Sequence, residues 1–392
     1  MPKCVVMGVC GGIAAYKSAY IARALIKKGY DVHVVMTKSA TEFVTPLTFQ
    51  TITKNKVITD MFSLAENITT EHISLAKMAD AFLICPATAN IIGKVASGIA
   101  DDFLSTTIMA TKSKVIFCPA MNTNMYENPI VVSNINKLKH LGYEFVSSGV
   151  GYLACGDEGA GRLADEDDIL DKVDIALCDK KDFEGKKVLV TAGPTMEEID
   201  PVRYITNHSS GKMGYAIARA AKMRGASVTL VTGKTNLKPI SGIEVIDVKS
   251  AQDMYNAVLN NFENADVVIK AAAVADFTPS SFASDKIKKE DGMNVINLTK
   301  TSDILKELGE RKTKQTLVGF CMETKDLIES AKSKLERKNL DFIVANNVNV
   351  SGAGFGVDTN VVTVIDKNGN LNEYEKMSKD EVAHIILDHI SK

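Results

Sequence analysis

Short apolar runs followed by polar or glycine-bearing turns recur along the whole chain. In the first half they fall at 4–9, 31–36, 81–85, 115–118 and the pair Glu144-Phe145, with amphipathic segments such as 14–28 between them. Runs of this length, bounded by turn residues and alternating with helical patterns, predict parallel strands covered by helices on both faces. The second half repeats the scheme. Strands are expected over 188–190, 227–232, 243–248, 266–272, 316–320 and 341–345. A closing hairpin over 361–365 and 371–374 is expected around Lys367-Asn368-Gly369-Asn370. Between the halves, CDKKDFEGKK (178–187) is charged and poor in apolar residues, the pattern of a domain boundary. The expected fold class is α/β: two doubly wound domains, 1–178 and 188–392, with a linker over 179–187.

In an open α/β sheet the ligand sits at the carboxyl ends of the strands, and polar residues gather there. The first strand ends in Gly11-Gly12 and the second in Thr37, Lys38 and Ser39. The third is followed by Thr88 and Asn90, with Ser105, Thr106 and Thr107 further on. Gly11-Gly12 fits any mononucleotide, or a plain tight turn, and is not the G-x-G-x-x-G fingerprint of a dinucleotide. With Ser39 and Thr37 as phosphate contacts, the set suits flavin mononucleotide (FMN). Three further positions carry possible chemistry. His72 opens an amphipathic helix (TTEHISLAKMAD), where a histidine is otherwise a surface or capping residue. Asn122 lies in PAMNTNMYENP, as a ligand or a simple Asx turn. Cys155 lies between glycines in GYLACGDEGAGRLAD, the pattern of a mobile lid with one thiol, or of a bystander. An unshifted thiol titrates near ~8.5 and can donate a proton at neutral pH.

In the second half, TAGPTMEEIDPVRYITNHSSGKMG (191–214) joins a strand to a helix expected over 215–223 and shows no helical or strand period. Its length far exceeds the ~2–6 residues of an ordinary βα loop. Gly211 and Gly214 allow close approach to a ligand, and the following helix offers N–H groups to an anion. Asp276 is the first acid after an apolar stretch, a candidate for Mg²⁺, a ribose or a helix cap. Lys270 lies inside that stretch and either reaches a nucleotide or snorkels. The charged run 284–289 contains Lys286 and reads as a solvated face or a cationic flap over phosphates. Lys334 and Lys338 share one helix face.

Composition removes several classes. Of the 392 residues, 45% are hydrophobic and 24% charged, ordinary for a soluble globular chain. A net charge of −2 provides no basic field for nucleic acid, and no apolar run reaches the ~20 residues of a membrane span. The start, MPKCVVMGVCGGIAAYK, alternates with glycines and suits a first βα unit better than a signal peptide. Cysteines at 4, 10, 85, 118, 155, 178 and 321 form no C-x-x-C pair, so sequence spacing indicates neither a zinc site nor a disulfide framework. Cytoplasm is the expected compartment.

HISLA, PAMNTNM and GYLACG, in that order, resemble the homo-oligomeric flavin-containing cysteine decarboxylases. The 191–214 stretch, AAAVADF, KIKK, GFCMET and LDFIVANNV resemble the phosphopantothenate–cysteine ligases. Together, over nearly the whole chain, they resemble the bifunctional coenzyme A biosynthesis family. The resemblance implies a flavodoxin-like first half and a Rossmann-like second half that binds nucleotide. It implies that the ligase activates 4′-phosphopantothenate with CTP and Mg²⁺ as an acyl-cytidylate, which the amine of cysteine then attacks. FMN-dependent oxidation of the product's thiol to a thioaldehyde would next permit decarboxylation to 4′-phosphopantetheine. By resemblance His72 is the catalytic histidine, Asn122 meets the substrate carboxylate and Cys155 donates the proton. Lys286 serves the first ligase step and Asn207 the second. The resemblance also implies nucleotide contacts at Lys270, Ala271, Ala272, Asp276, Lys286, Ser302, Asp303, Ile304, Leu305, Phe320, Lys334 and Lys338. Lys270 departs from the family, where the position is usually uncharged. Trimeric contacts in the first half and dimeric contacts in the second are implied as well. The rival readings are a peptidyl-cysteine decarboxylase fused to an unrelated nucleotide domain, and a regulatory flavoprotein that binds a partner without turnover.

Overall fold

The computed structural model describes residues 2–61, 71–152, 156, 158–288, 295–323, 327–347, 354 and 356–391. The chain divides into two compact units, Met1–Asp179 and Lys180–Lys392.

The first unit is built on five parallel strands: β1 (Cys4–Val9), β2 (Asp31–Met36), β3 (Ala81–Ala87), β4 (Lys114–Pro119) and β5 (Glu144–Phe145), in the order β2-β1-β3-β4-β5. Successive side chains point to opposite faces, and both faces are apolar. Val5, Met7 and Val9 face a cluster containing Leu25, Ile169 and Leu170, from helices Ala15–Lys27 and Glu166–Leu177. Val6 faces the other side, with Ile91 and Leu104 from helices Ala89–Ala96 and Phe103–Ala110. Each such fully buried aliphatic side chain contributes roughly 1.5–3 kcal/mol. Helix starts are set locally. Thr88 accepts from Ile91 N, and Asp102 forms a capping box with Ser105, an arrangement worth ~1 kcal/mol. The strand order reverses between β1 and β3, which is where such sheets bind ligands.

The second unit contains β6 (Lys187–Ala192), β7 (Ser227–Thr232), β8 (Glu244–Asp247), β9 (Val267–Lys270), β10 (Thr316–Glu323), β11 (Phe342–Asn347), β12 (Val362–Asp366) and β13 (Leu371–Glu373). Their order is β8-β7-β6-β9-β10-β11-β12-β13. Pairing is parallel from β8 to β11 and antiparallel through β12 and β13. The reversal falls between β6 and β9. The β12–β13 turn is held by Asp366, whose Oδ1 accepts from Asn368 N and Asn370 N, both at 2.9 Å. The stretch expected as a linker folds onto this unit from Lys180 onward: Phe183 is buried in its core, and Arg224, itself fully buried, bonds Asp182.

Two expectations change. The 191–214 stretch is not without strand structure, because Met196–Glu198 and Tyr204–Thr206 pair antiparallel within it. Its helix begins at Lys212, three residues before the expected 215. The strand expected to 272 leaves the sheet after Lys270, where the main chain turns toward the loop after β6. Among the described residues no helix is long and apolar enough to cross a membrane.

Candidate active sites

A cavity of about 1030 Å³ opens at the β1/β3 reversal. Gly11, Gly12, Ser39, Thr88, Asn90 and Asn122 all line it, as the strand-end reasoning expected. Glycine is required at position 11, since a Cβ there would stand 2.4 Å from Ser39 Cβ and 2.7 Å from its carbonyl carbon. The loops after β1 and β2 therefore touch, and form one wall. Two polar atoms in the lining, Thr37 Oγ1 and Arg162 Nε, are buried with no hydrogen-bond partner among the described residues. Such atoms are costly unless something polar meets them. Lys17 and Lys38 also line the wall, whereas the charge of Lys94 is answered by Asp101 at 2.6 Å and Asp102 at 2.8 Å. Cys10 lines the cavity too, and burial pushes its thiol up to about 12, so it stays neutral. Unpartnered donors, cations on one rim and apolar groups such as Ile91, Met121 and Leu163 fit a phosphate-bearing flat ligand such as FMN.

A hairpin of Gly149–Tyr152 and Glu158–Arg162 borders this cavity. It is bound to the Asn122 loop: Met121 N donates to Gly161 O at 2.9 Å, and Thr123 Oγ1 donates to Ala160 O at 2.9 Å. Gly161 has φ +114°, and a Cβ there would meet Met121 O at 2.4 Å. Asn122 caps the short helix Thr123–Tyr126 by accepting from Asn124 N. Cys155, expected in a glycine-rich lid and by resemblance the proton donor, lies outside the described residues.

Four expected residues do not line this cavity. Ser105 is fully buried and closes the capping box with Asp102. Thr107 is fully buried, and its hydroxyl donates to Phe103 O at 2.6 Å. Thr106 donates to Ala100 O at 3.3 Å. Both were read as strand-end groups, but they sit within helix Phe103–Ala110, where a threonine hydroxyl can serve the local main chain. His72 is half-buried on helix Glu71–Met78, edge-on to Phe103 with 6.2 Å between ring centroids.

In the second unit the loops after β6 and β9 are laced together at the reversal. Ala272 N donates to Thr191 Oγ1, Ala273 N to Gly193 O and Ala275 N to Thr195 Oγ1. Asn207 Nδ2 donates to Ala273 O at 3.0 Å, so the expected second-step residue stands at this seam. A small cavity of about 150 Å³ adjoins it, lined by 209–214, Ala271, Ala272, Ala273 and Phe320 among others. Asn346 also lines it, and its Oδ1 is buried without a partner among the described residues. Lys379, absent from the sequence reading, is buried here.

The expected nucleotide residues gather nearby. Lys338 pairs with Asp303 at 2.9 Å, and Lys334 Nζ is 3.6 Å from Cys321 Sγ. Asp303 caps helix Ile304–Arg311 through Lys306 N. The side chain of Ile304 is in the core and that of Leu305 reaches Gly319, which leaves main chain as what these two can offer a ligand. Lys270 is buried: burial pushes its amine down to about 7, with Asp303 raising it and Lys338 lowering it. Asp276 and Ser302 are exposed.

Lys286 is exposed, but the chain beside it is held. Ile287 N donates to Asp200 Oδ2 at 3.3 Å, and Arg203 donates to Ile287 O. Asp200 also accepts from Val202 N and Arg203 N, both at 2.8 Å, and pairs with the Arg203 guanidinium. Desolvation works against the charged carboxylate, yet these hydrogen bonds leave it below the usual carboxylate range. Sequence reading passed over this pair because its partner segment lies 87 residues away.

Two doubly wound sheets, each with polar loops converging at its reversal, define a two-site α/β protein. Residues 2–177 match the flavoprotein family, and residues 183–392 match the DNA/pantothenate metabolism flavoprotein C-terminal domain. The coenzyme A biosynthesis bifunctional protein CoaBC of Bacillus subtilis (strain 168) is 48% identical over 390 residues, covering 99% of this chain and 96% of that one. Its counterpart in Borreliella burgdorferi is 46% identical over 389 residues, 98% of each chain. A crystal structure of the C-terminal domain of a CoaBC protein is 46% identical, covers 54% of this chain and 97% of its own, and superposes with a TM-score of 0.47. The chain belongs to the family of coenzyme A biosynthesis bifunctional proteins. It is a bifunctional enzyme of that biosynthesis, with decarboxylase and ligase activities.

Proposed function

We propose that residues 1–178 form an FMN-dependent phosphopantothenoylcysteine decarboxylase and residues 188–392 a CTP-dependent phosphopantothenate–cysteine ligase. Residues 179–187 join them. One observation supports this reading most: each sheet reversal carries a cavity lined by residues with a buried polar atom that has no partner among the described residues, Thr37 and Arg162 in one and Asn346 in the other.

In the first site FMN supplies the two-electron redox chemistry. Gly11, Gly12, Thr37 and Ser39 receive its phosphate, and Thr88 and Asn90 fix its orientation. Asn122 holds the substrate carboxylate, which leaves as carbon dioxide. Cys155 returns a proton to the carbon left behind. His72 stands off the cavity of its own chain, beside exposed Ile73 and Met78, which supports a site completed by the histidine of a second copy. The trimeric contacts implied for this half follow that logic, and the dimeric ones of the other half rest on the family resemblance alone.

In the second site Lys286, Lys334 and Lys338 offset phosphate charge as the substrate carboxylate attacks the α-phosphorus of CTP and pyrophosphate leaves. Asp276 would be the carboxylate that holds Mg²⁺, which would offset the phosphate charge. The amine of cysteine then attacks the acyl carbon beside Asn207, an amide forms and CMP leaves. The ligase product is the decarboxylase substrate. None of the six described cysteines is in a disulfide, which supports a reducing, cytoplasmic setting.

The test is mass spectrometry of purified chain given 4′-phosphopantothenate, cysteine and Mg²⁺ with CTP or ATP. Phosphopantetheine and CMP in the CTP sample alone is the expected result. A cysteine adduct that accumulates without decarboxylation would remove the decarboxylase assignment. No adduct with either nucleotide would remove the ligase assignment.

A further inference from the structure

The amino-terminal edge of the first sheet carries a donor cluster that neither reaction uses. Cys4 opens β1, Asp31 opens β2, and the two are register partners. Side chains alternate along a strand, so His33 projects from the same face as Asp31. The three therefore lie side by side on two adjacent strands. The Cys4 thiol, an Asp31 carboxylate oxygen and an imidazole nitrogen of His33 all fall within 4.8 Å of one another, the one such group of three donors among the described residues. His33 Nε2 is 3.1 Å from Asp31 Oδ2. Two ligands on a tetrahedral ion with bonds of ~2.0 Å stand ~3.3 Å apart, so this pair already has the required spacing.

The surroundings hold the donors in place. Asn55 Nδ2 donates to Asp31 Oδ1 at 2.9 Å and to Val32 O at 2.9 Å. It anchors the carboxylate to the strand and leaves Oδ2 turned to His33. Asp80 accepts from Cys4 N at 2.6 Å, which steadies the main chain under the thiol. Ligands of bound metals are supported by outer hydrogen bonds of this kind. Cys4 is buried while Asp31 and His33 are partly open, so an ion can reach the donors from solvent. An Asp–His contact accounts for two of the groups, but a thiol within 4.8 Å of both makes a mixed sulfur, nitrogen and oxygen set. That set suits a borderline-soft dication rather than Mg²⁺ or Ca²⁺.

We propose that Cys4, Asp31 and His33 bind a divalent cation of the zinc class, joining edge strand β2 to β1. The site lies roughly 20 Å from the flavin cavity, at the other end of six-residue strands. Binding replaces the thiol S–H bond with a metal–sulfur bond and releases the proton to solvent.

The test uses the full-length, flavin-loaded chain, cleared of metal by chelation and then dialysed against zinc. Wild type is expected to hold one zinc per chain more than the Cys4→Ser or His33→Gln variant. Cobalt in its place should give tetrahedral d–d bands in the red, clear of flavin absorption, that are absent from Cys4→Ser. Asn55→Ala keeps all three ligands and should weaken zinc binding about tenfold or more. Unchanged flavin absorbance shows that each variant is folded. His33→Gln, at a partly exposed position, keeps the test decisive if Cys4→Ser does not fold. If wild type holds no more zinc than these variants, or if the cobalt bands persist in Cys4→Ser, the site does not exist.

Discussion

The two units place their ligand loops at the same point of the same kind of sheet, yet present them differently. The first walls a cavity of about 1030 Å³ with main chain from four strand ends and borders it with a hairpin bonded to the Asn122 loop. The second leaves about 150 Å³, and Lys286, the cation proposed for its first step, sits on an exposed segment held through the neighbouring peptide by Asp200 and Arg203. A preformed pocket suits a ligand that stays. A held but exposed flap suits a co-substrate that is admitted, activated and released in every turnover. The doubly wound sheet fixes where a ligand goes, and the loops fix how long it remains.

The largest expected effect separates the two sites outright. Lys286→Ala should lower nucleotide-dependent ligation of cysteine by a hundredfold or more, measured as CMP release, with carbon dioxide release from supplied phosphopantothenoylcysteine unchanged. A parallel fall in both rates would break the comparison. Next comes the latch. Asp200→Asn should reduce ligation about tenfold through a raised KM for the nucleotide, and should add little in a chain already carrying Lys286→Ala, because residues acting as a unit are non-additive. Full additivity would show that Asp200 does not act through the flap. Thr37→Val should raise the flavin dissociation constant up to about tenfold, the worth of one hydrogen bond, by fluorescence titration, while ligation holds.

The remaining effect is on stability rather than on a rate or an affinity, and concerns Lys270. Its amine is pushed by burial to about 7 in the folded chain, against 10.5 unperturbed. Between those values the folded state holds fewer protons than the unfolded. This group therefore makes the second unit more stable as pH rises from about 7 to 10.5, by up to ~1.4 kcal/mol per unit, and contributes no slope below 7. Lys270→Met should remove that slope in urea unfolding measured at several pH values. Equal slopes in the two proteins would mean that the amine keeps its charge in the fold.

The strand-end rule made Gly11, Ser39, Thr88 and Asn90 legible in the sequence, because apolar runs mark strands and the residues just after them must face the ligand edge. The same rule misread Thr106 and Thr107, which follow a cap at Asp102 and belong to a helix. Arg162 was passed over because its glycine-rich hairpin has no apolar alternation to mark it as structure. The strands Met196–Glu198 and Tyr204–Thr206 are three residues each, too short to show a period. The grouping of Cys4 with Asp31 and His33 was invisible to cysteine spacing, since it depends on the register of two strands rather than on distance along the chain.

The Arg224 side chain has one more consequence. It is fully buried, lies over the Phe183 ring, and is shared by Asp182 at the head of the second unit and Asp388 in its last helix. A single guanidinium thus fastens the place where the chain comes in to the place where it goes out. For protein engineering, this makes the second unit a cassette whose two ends meet. A cut at Lys180 would keep both halves of the clasp, whereas a cut at Lys187 would remove Asp182 and leave the buried guanidinium to Asp388.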